Sequence, residues 1–241
     1  MNLALNRGLV AKVHRPVVDS GPRPGAAYLD DDDYAEIANR ILQSWHAAQG
    51  FWVFAYGSLI WKPAFASIDQ RKATVPGWHR AFALKLTRWR GTPECPGLML
   101  TLDRGGSCHG IVYRVAEPNL RQTLIQLLQR EMTVKPPTQA PRWVCANTAK
   151  GRLRALAFTV DRRGPAYAGA LSEDQTADTL ALAVGHWGSC AEYLLHTVEN
   201  LDQHGIRDGL LWRLQARVAE RIASRHPEPA SSVALGGGDD R

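Results

Sequence analysis

Residues 51–59 read FWVFAYGSL, and this stretch decides the fold. Its five leading apolar residues are typical of a buried strand, and the Gly57-Ser58 pair directly after Tyr56 allows the backbone to turn sharply. Successive amide N–H groups in such a turn point at one spot and form a nest for an anion or a developing oxyanion. An ordinary exit from a strand explains the same residues, so residues 56–59 need support from the rest of the chain.

The composition is that of a globular chain. With 241 residues, of which 45% are hydrophobic, the chain is long enough to bury a substantial core. No stretch approaches the roughly 20 apolar residues that a membrane helix needs, and polar residues interrupt residues 1–18 too often for a secretory signal. We therefore expect a soluble cytoplasmic protein without a membrane partner.

The net charge of +6 is compatible with nucleic-acid binding, but the pattern of the charges does not favour it. Residues 85–90 interleave basic and aromatic side chains, yet their alternation fits a strand with one polar face. The other basic residues are scattered along the chain. A mild positive field of this kind favours a small anionic substrate, so we expect no nucleic-acid partner.

The sequence carries no signature of a metal, nucleotide or phosphate site. Its four cysteines are widely spaced and form no CxxC pair, so we interpret them as reduced thiols, mostly in packing positions: Cys95, Cys108, Cys145 and Cys190. We therefore expect no cofactor.

The order of the elements predicts an α+β fold. Strand-like runs cover residues 51–56, 81–88, 97–102, 108–115, 142–147 and 152–160. A helix is predicted after the acidic cap at residues 30–33, another over residues 119–132, and the last third of the chain is helical with a break at Gly205. The pair Gly105-Gly106 predicts a hairpin turn. Strands first and helices later indicate α+β rather than alternating units.

Composition also predicts the domain boundaries. Residues 1–28 show weak periodicity and several Pro and Gly, which predicts a poorly ordered N-terminal arm. Residues 29–226 contain no linker and are expected to form one domain. Residues 227–241 are rich in Pro, Ser and Gly and are expected to be a disordered tail.

The helix that ends near residue 131 carries a carboxylate on its apolar face. Glu131 lies eleven residues after the first of four leucines spaced as one helical face, Leu120, Leu124, Leu127 and Leu128. Burial and the negative end of the helix dipole both raise the pKa of such a carboxyl group. A group of this kind exchanges protons near neutrality.

Two other interpretations of Glu131 remain open on helical geometry alone. The side chain at a helix end can turn to solvent, where its pKa stays ordinary. It can also pair with Arg130, its neighbour in the chain, or with Arg142 across the following loop.

Several motifs follow one another between residue 51 and about residue 215. They are YGSLIWKPAF at 56–65, PGWHR at 76–80, RGTPECPG at 90–97, GIVYRV at 110–115 and REM at 130–132. In this order and at these spacings they resemble the ChaC-type gamma-glutamylcyclotransferases, a family of enzymes that act on glutathione.

The resemblance implies a fold, a reaction and a set of site residues. The strands should form a small mixed β-barrel with a pocket at one mouth, next to a helix that carries the catalytic residue. Glu131 matches the family's catalytic acid/base, and the turn that holds the γ-glutamyl group matches Tyr56, Gly57, Ser58 and Leu59. In the implied reaction the α-amine attacks the γ-carbonyl, which closes 5-oxoproline and, from glutathione, releases cysteinylglycine.

The segment after Glu131 departs from the family pattern. Residues 133–142 lack the expected tyrosine and contain three prolines. A cyclotransferase for other γ-glutamyl amino acids or amines is therefore an alternative, and a non-catalytic binding module is a second one. The presence of both the turn at 56–59 and Glu131 favours an enzyme over a binding module.

Overall fold

The computed structural model describes residues 3–227 of the chain. Its helices are α1 (Arg7–Val13), α2 (Asp31–Gln43), α3 (Leu120–Glu131), α4 (Glu173–Leu182), α5 (Cys190–Gln203) and α6 (Gly209–Arg225). Its strands are β1 (Ala27–Tyr28), β2 (Trp52–Ala55), β3 (Ser67–Leu86), β4 (Gly97–Val115), β5 (Val134–Lys135), β6 (Gln139–Thr148), β7 (Gly151–Val160), β8 (Val184–Gly185) and β9 (Gly188–Ser189). Single 3-10 turns cover Ala47–Gln49 and Ser58–Ile60.

Five of the strands close into a barrel in the order β2-β4-β3-β6-β7, and β4 also pairs with β7. All four residues of β2 are buried, as the unbroken apolar run predicts. β2 lies between β4, to which it is antiparallel, and β7, to which it is parallel at Val53. The α+β class and the small mixed barrel are therefore confirmed.

The β3–β4 hairpin is longer than the sequence predicts. The predicted strands at 97–102 and 108–115 are one continuous strand, and β3 begins at Ser67 rather than at residue 81. The predicted hairpin turn at Gly105-Gly106 is wrong, because Pro76 pairs with Ser107 and Trp78 with Arg104. The two glycines therefore form a β-bulge opposite a single residue, which uses their positive φ angles of 107° and 67°.

The N-terminal segment contains more regular structure than the predicted arm. Leu5 is fully buried, and its amide N–H donates to Gln215 of α6 at 2.8 Å. Asn6 then caps α1 by accepting from the amide of Leu9 at 3.0 Å. These anchors are single residues, so they leave no periodic signal in the sequence. Of the predicted tail, only Pro227 lies within the described residues.

The N-terminal segment also holds the loop that follows α3. β1 pairs with β5 in antiparallel register, and the amide of Leu29 donates to the carbonyl of Thr133 at 3.1 Å. The Tyr34 hydroxyl of α2 donates to the carbonyl of Met132 at 2.7 Å. Lys135 pairs with Asp33, with the two charged groups 2.6 Å apart. The segment that departs from the family pattern is therefore braced by residues 27–34.

The three C-terminal helices pack together on one side of the barrel. Their inward faces contribute buried leucines and valines to the same core as the strands, among them Leu180, Leu194, Val198, Leu214 and Val218. None of the helices within residues 3–227 has the length and apolarity needed to cross a lipid bilayer.

Candidate active site

The chain leaves the barrel at the end of β2 and turns at once. The carbonyl of Gly57 accepts from the amide of Ile60 at 2.9 Å, which closes the 3-10 turn that begins at Ser58. A Cβ atom at Gly57 would lie only 3.0 Å from the hydroxyl of Tyr193, so the glycine allows α5 to approach the turn. The turn predicted for residues 56–59 is therefore present at one end of the barrel.

The first three amide N–H groups of this turn are not used by the described part of the fold. Within residues 3–227, the amides of Gly57, Ser58 and Leu59 donate to no protein acceptor. The side chains of Tyr56 and Leu59 are buried in the core, and the Tyr56 hydroxyl donates to the carbonyl of Phe158 at 2.9 Å. The turn therefore offers backbone donors, while two of its side chains hold it in place.

Glu131 is the last residue of α3, and its side chain points inward. The four leucines of the predicted face are all buried, and the Glu131 side chain is only 12% exposed. Burial raises the pKa of the Glu131 carboxyl group, and the charge of Arg130 opposes that increase in part. A carboxyl group of this kind takes up and returns protons closer to neutrality than an exposed glutamate does.

Of the interpretations of Glu131 that the sequence leaves open, the structure shows pairing with Arg130, while the side chain stays buried and does not turn to solvent. Its carboxylate lies 3.3 Å from Nε of Arg130, so the side chain is both buried and paired. Arg142 lies elsewhere, with its guanidinium 5.8 Å from the centre of the Trp78 ring.

Arg130 joins the end of α3 to the turn. Its Nη2 donates to the hydroxyl of Ser58 at 3.2 Å, and its Nη1 donates to the carbonyl of Lys62. A guanidinium holds several acceptors in a fixed plane, which a single ammonium does not. Arg130 therefore contacts both the carboxyl group of Glu131 and the side chain of Ser58 in the turn.

The ChaC-like protein family model matches residues 51–221 of this chain. The chain belongs to the ChaC-like family. The matched part contains the whole barrel, the turn at 56–59 and Glu131, whereas α1, β1 and α2 lie before it.

Curated ChaC-like relatives are similar over most of the chain. The glutathione-specific gamma-glutamylcyclotransferase of Escherichia coli K12 is 37% identical over 178 residues, which are 73% of this chain and 76% of that protein. The glutathione-specific gamma-glutamylcyclotransferase 1 of Mus musculus is 34% identical over 154 residues, which are 63% of this chain and 69% of that protein.

A crystal structure shares the fold. The gamma-glutamylcyclotransferase specific to glutathione from yeast superposes with a TM-score of 0.66 at 22% identity, over 74% of this chain and 99% of that one. At this identity the likeness bears on the fold alone. The relatives are enzymes, and so is this ChaC-like protein.

Two further side chains lie near Glu131 or near each other, Tyr193 of α5 and Arg90 of the β3–β4 turn. Burial raises the pKa of the Tyr193 phenol, and the nearby charge of Glu131 raises it further. Arg90 lies with its guanidinium 5.6 Å from the Tyr193 ring centre and donates to Glu192 at 2.7 Å. Tyr193 therefore stays neutral and keeps its hydroxyl proton beside Glu131.

The sequence does not reveal that Tyr193 belongs to this site. Its helical spacing indicates only a core position, and a hydroxyl on an otherwise apolar face was the one available signal. Residues 90–92 lie in the turn between β3 and β4, from which Arg90 contacts Tyr193 and Glu192 of α5. Tyr113 is a packing residue, because its buried hydroxyl donates to the carbonyl of Ile60 at 3.2 Å.

The acidic run at the start of α2 is a helix cap, as predicted. Asp30 accepts from the amide of Asp33 at 2.9 Å, and the Asp33 side chain accepts from the amide of Asp30 at 3.2 Å. Across residues 3–227, no three His, Cys, Asp or Glu side chains are grouped closely enough to hold a metal ion.

Proposed function

We propose that this ChaC-like protein is a glutathione-specific gamma-glutamylcyclotransferase, which converts glutathione into 5-oxoproline and cysteinylglycine. The two curated relatives with that name support the reaction class and the substrate. The observation that carries the proposal is the buried carboxyl group of Glu131, which Arg130 joins to a turn with free backbone donors. Cyclisation within one substrate molecule needs a group that transfers protons and donors that hold the substrate, and little more.

Glu131 acts as the general base and then as the general acid. The α-amine of the γ-glutamyl unit is protonated at neutral pH and must lose a proton before it attacks. Glu131 takes that proton, the amine nitrogen forms a bond to the γ-carbon, and the bond from that carbon to the cysteinyl nitrogen breaks. The α-nitrogen keeps one of its three hydrogens in the lactam, so Glu131 carries two protons in turn from it to the departing nitrogen. Cysteinylglycine leaves with a protonated amine, and no net proton is gained or lost.

The turn at residues 56–59 holds the γ-glutamyl group. Ring closure joins two ends of one molecule, so a folded and fixed substrate supplies several kcal/mol of the rate enhancement by proximity. The tetrahedral intermediate carries an oxyanion, which requires donors that are already in place. The free amides of Gly57, Ser58 and Leu59 are donors of this kind.

The raised pKa of Glu131 predicts the acid side of the pH–rate profile. The base form is required, so kcat/KM falls as the pH decreases through the pKa of this group. We expect the midpoint of that decrease above 4.5, the ordinary value for glutamate. Initial rates with glutathione across the acid range measure it, and a midpoint at or below 4.5 would contradict the prediction.

In the Arg130→Gln variant we expect the acid limb of the pH–rate profile to lie at a higher pH than in the native protein. The charge of Arg130 lowers the pKa of Glu131, so its removal raises that pKa and moves the acid limb to higher pH. The position of the limb is the readout, because the height of the profile also depends on the contact between Arg130 and Ser58.

The reaction itself is tested with reduced glutathione and a blocked analogue. The protein should release 5-oxoproline and cysteinylglycine in equal amounts from glutathione. It should release neither from glutathione with an acetylated α-amine, since that nitrogen cannot close the ring. Release from the blocked analogue would point to hydrolysis of the γ-glutamyl bond and would overturn the proposed mechanism.

The braced loop after Glu131 favours a second candidate substrate class. Residues 133–142 differ from the family pattern and are fixed by β1, so a leaving group other than cysteinylglycine fits the same chemistry. Turnover of γ-glutamyl-alanine beside glutathione separates the two candidates. Failure to turn over either compound would favour the binding-module alternative.

A further inference from the structure

The PGWHR motif at residues 76–80 contains an arginine that the proposed mechanism does not use. Arg80 is on β3, and its side chain is only 1% exposed. Its Nε donates to the carbonyl of Tyr56 at 2.7 Å, its Nη1 to the carboxylate of Asp208 at 2.8 Å, and its Nη2 to the carbonyl of His109. One buried guanidinium therefore joins the active-site turn, β4 and the start of α6.

The contact with Tyr56 controls the direction of the next amide. In a planar trans peptide, the carbonyl oxygen of one residue and the N–H of the following residue point in opposite directions. Arg80 holds the Tyr56 carbonyl on the side of β3, so the N–H of Gly57 points to the opposite side. That N–H is one of the free donors of the turn.

We propose that Arg80 is a positioning residue, which fixes the Tyr56–Gly57 peptide so that the Gly57 amide faces the γ-glutamyl group. This inference rests on the proposed function, because the amide has its role only if the turn holds that group. Arg80 does not touch the substrate itself. It acts through the peptide plane.

Asp208 provides the negative charge that offsets the cost of burying the Arg80 guanidinium. Its Oδ2 accepts from Arg80, while its Oδ1 accepts from the amide of Leu211 at 3.1 Å and caps α6. A buried cation without a partner is strongly destabilising, so this carboxylate has a structural role. It makes no contact with the Tyr56 carbonyl, and the two roles can therefore be separated by substitution.

The test compares Arg80→Lys with Asp208→Asn. Lysine keeps the charge for Asp208, but its single ammonium cannot serve three acceptors in the plane of a guanidinium. We expect Arg80→Lys to lower kcat/KM for glutathione by about 100-fold, the effect of losing one aligned donor. Asp208→Asn keeps an acceptor for the helix cap but leaves the buried Arg80 without its anionic partner, so we expect a lower melting temperature. Both arginine–carbonyl bonds remain, so the kcat/KM of the folded variant should stay within about threefold of the native value.

A second readout does not depend on activity. In protein labelled with ¹⁵N-glycine, the amide resonance of Gly57 should shift in Arg80→Lys and stay near its native position in Asp208→Asn. If the native protein does not turn over glutathione, the proposed function fails, and this resonance still tests whether Arg80 fixes the peptide.

Three results would overturn the inference. They are a kcat/KM of Arg80→Lys within about threefold of the native value, an unmoved Gly57 resonance in that variant, and equal losses in both variants. If Arg80→Lys does not fold, the double variant Arg80→Gln/Asp208→Asn replaces it, because it buries a neutral pair. The same loss of activity and the same Gly57 shift are then expected.

Discussion

We expect Glu131→Gln to lower kcat/KM for glutathione by about 1,000-fold, within the range that general acid–base catalysis contributes. Glutamine preserves the shape of the side chain and its place beside Arg130, but it cannot accept the proton of the α-amine. The loss should appear mainly in kcat, since the turn that holds the γ-glutamyl group is untouched. Initial rates of 5-oxoproline release over a range of glutathione concentrations give kcat/KM, and the rates at saturation show how much of the loss lies in kcat.

Glu117→Gln is the matched control, because Glu117 lies just before the other end of α3. Its side chain is 48% exposed and lies 3.4 Å from Arg114. An exposed pair of this kind contributes little, so activity should stay within about twofold of the native value. Activity of Glu131→Gln within tenfold of the native protein would remove Glu131 from the proposed role.

The Glu131→Gln variant should be at least as stable as the native protein at neutral pH. Burial raises the pKa of Glu131, so the folded state favours the protonated form. The stability from this preference is fully present below the unfolded pKa, near 4.5, and is lost as the pH rises through the folded pKa. Glutamine does not titrate, so its relative stability should increase from about pH 4 to about pH 7. Urea unfolding at both pH values measures the difference.

We expect Gly110→Ala to destabilise the protein by about 3 kcal/mol, which lowers the melting temperature by about 6 to 12 °C. A Cβ atom at this position of β4 would lie 2.4 Å from the carbonyl oxygen of Ala55 and 2.7 Å from the Phe54 ring. Backbone in a closed barrel cannot move aside at one point without disturbing its neighbours. Since Ala55 is the last residue before the turn, activity should fall together with stability.

Gly209→Ala is the control for this effect. Gly209 is the first residue of α6, and an added Cβ atom would meet only the flexible end of Arg213, at 3.5 Å. Alanine favours the helix, so the variant should be as stable as the native protein or more stable by a few tenths of a kcal/mol, roughly. Thermal unfolding of both variants makes the comparison, and similar melting temperatures would contradict the close approach of β4 and β2.

The local parts of the fold could be predicted from the sequence because their signals are periodic. The spacing of the leucines in α3 placed Glu131 on the buried face, and the apolar run of β2 placed the turn at its end. The β3–β4 hairpin was divided into shorter strands because Gly105-Gly106 fits a turn and a bulge equally well. The choice between them depends on the register with β3, which only the folded barrel determines.

The parts of the site that come from distant segments could not be predicted. Arg80 is 24 residues from the Tyr56 carbonyl and 128 residues from Asp208 along the chain. Tyr193 comes close enough for the charge of Glu131 to raise the pKa of its phenol only after α5 has packed on the barrel. The family resemblance identified the motifs that contain Arg80 and Arg90, but it gave neither of them a partner.

The pairing of β1 with β5 connects the matched region to residues that precede it. The match to the family model begins at residue 51, yet the loop directly after Glu131 is anchored by residues 27–34. A chain shortened to the matched residues 51–221 would therefore keep the whole barrel and Glu131 but lose the strand and the hydroxyl that hold the loop next to that carboxyl group.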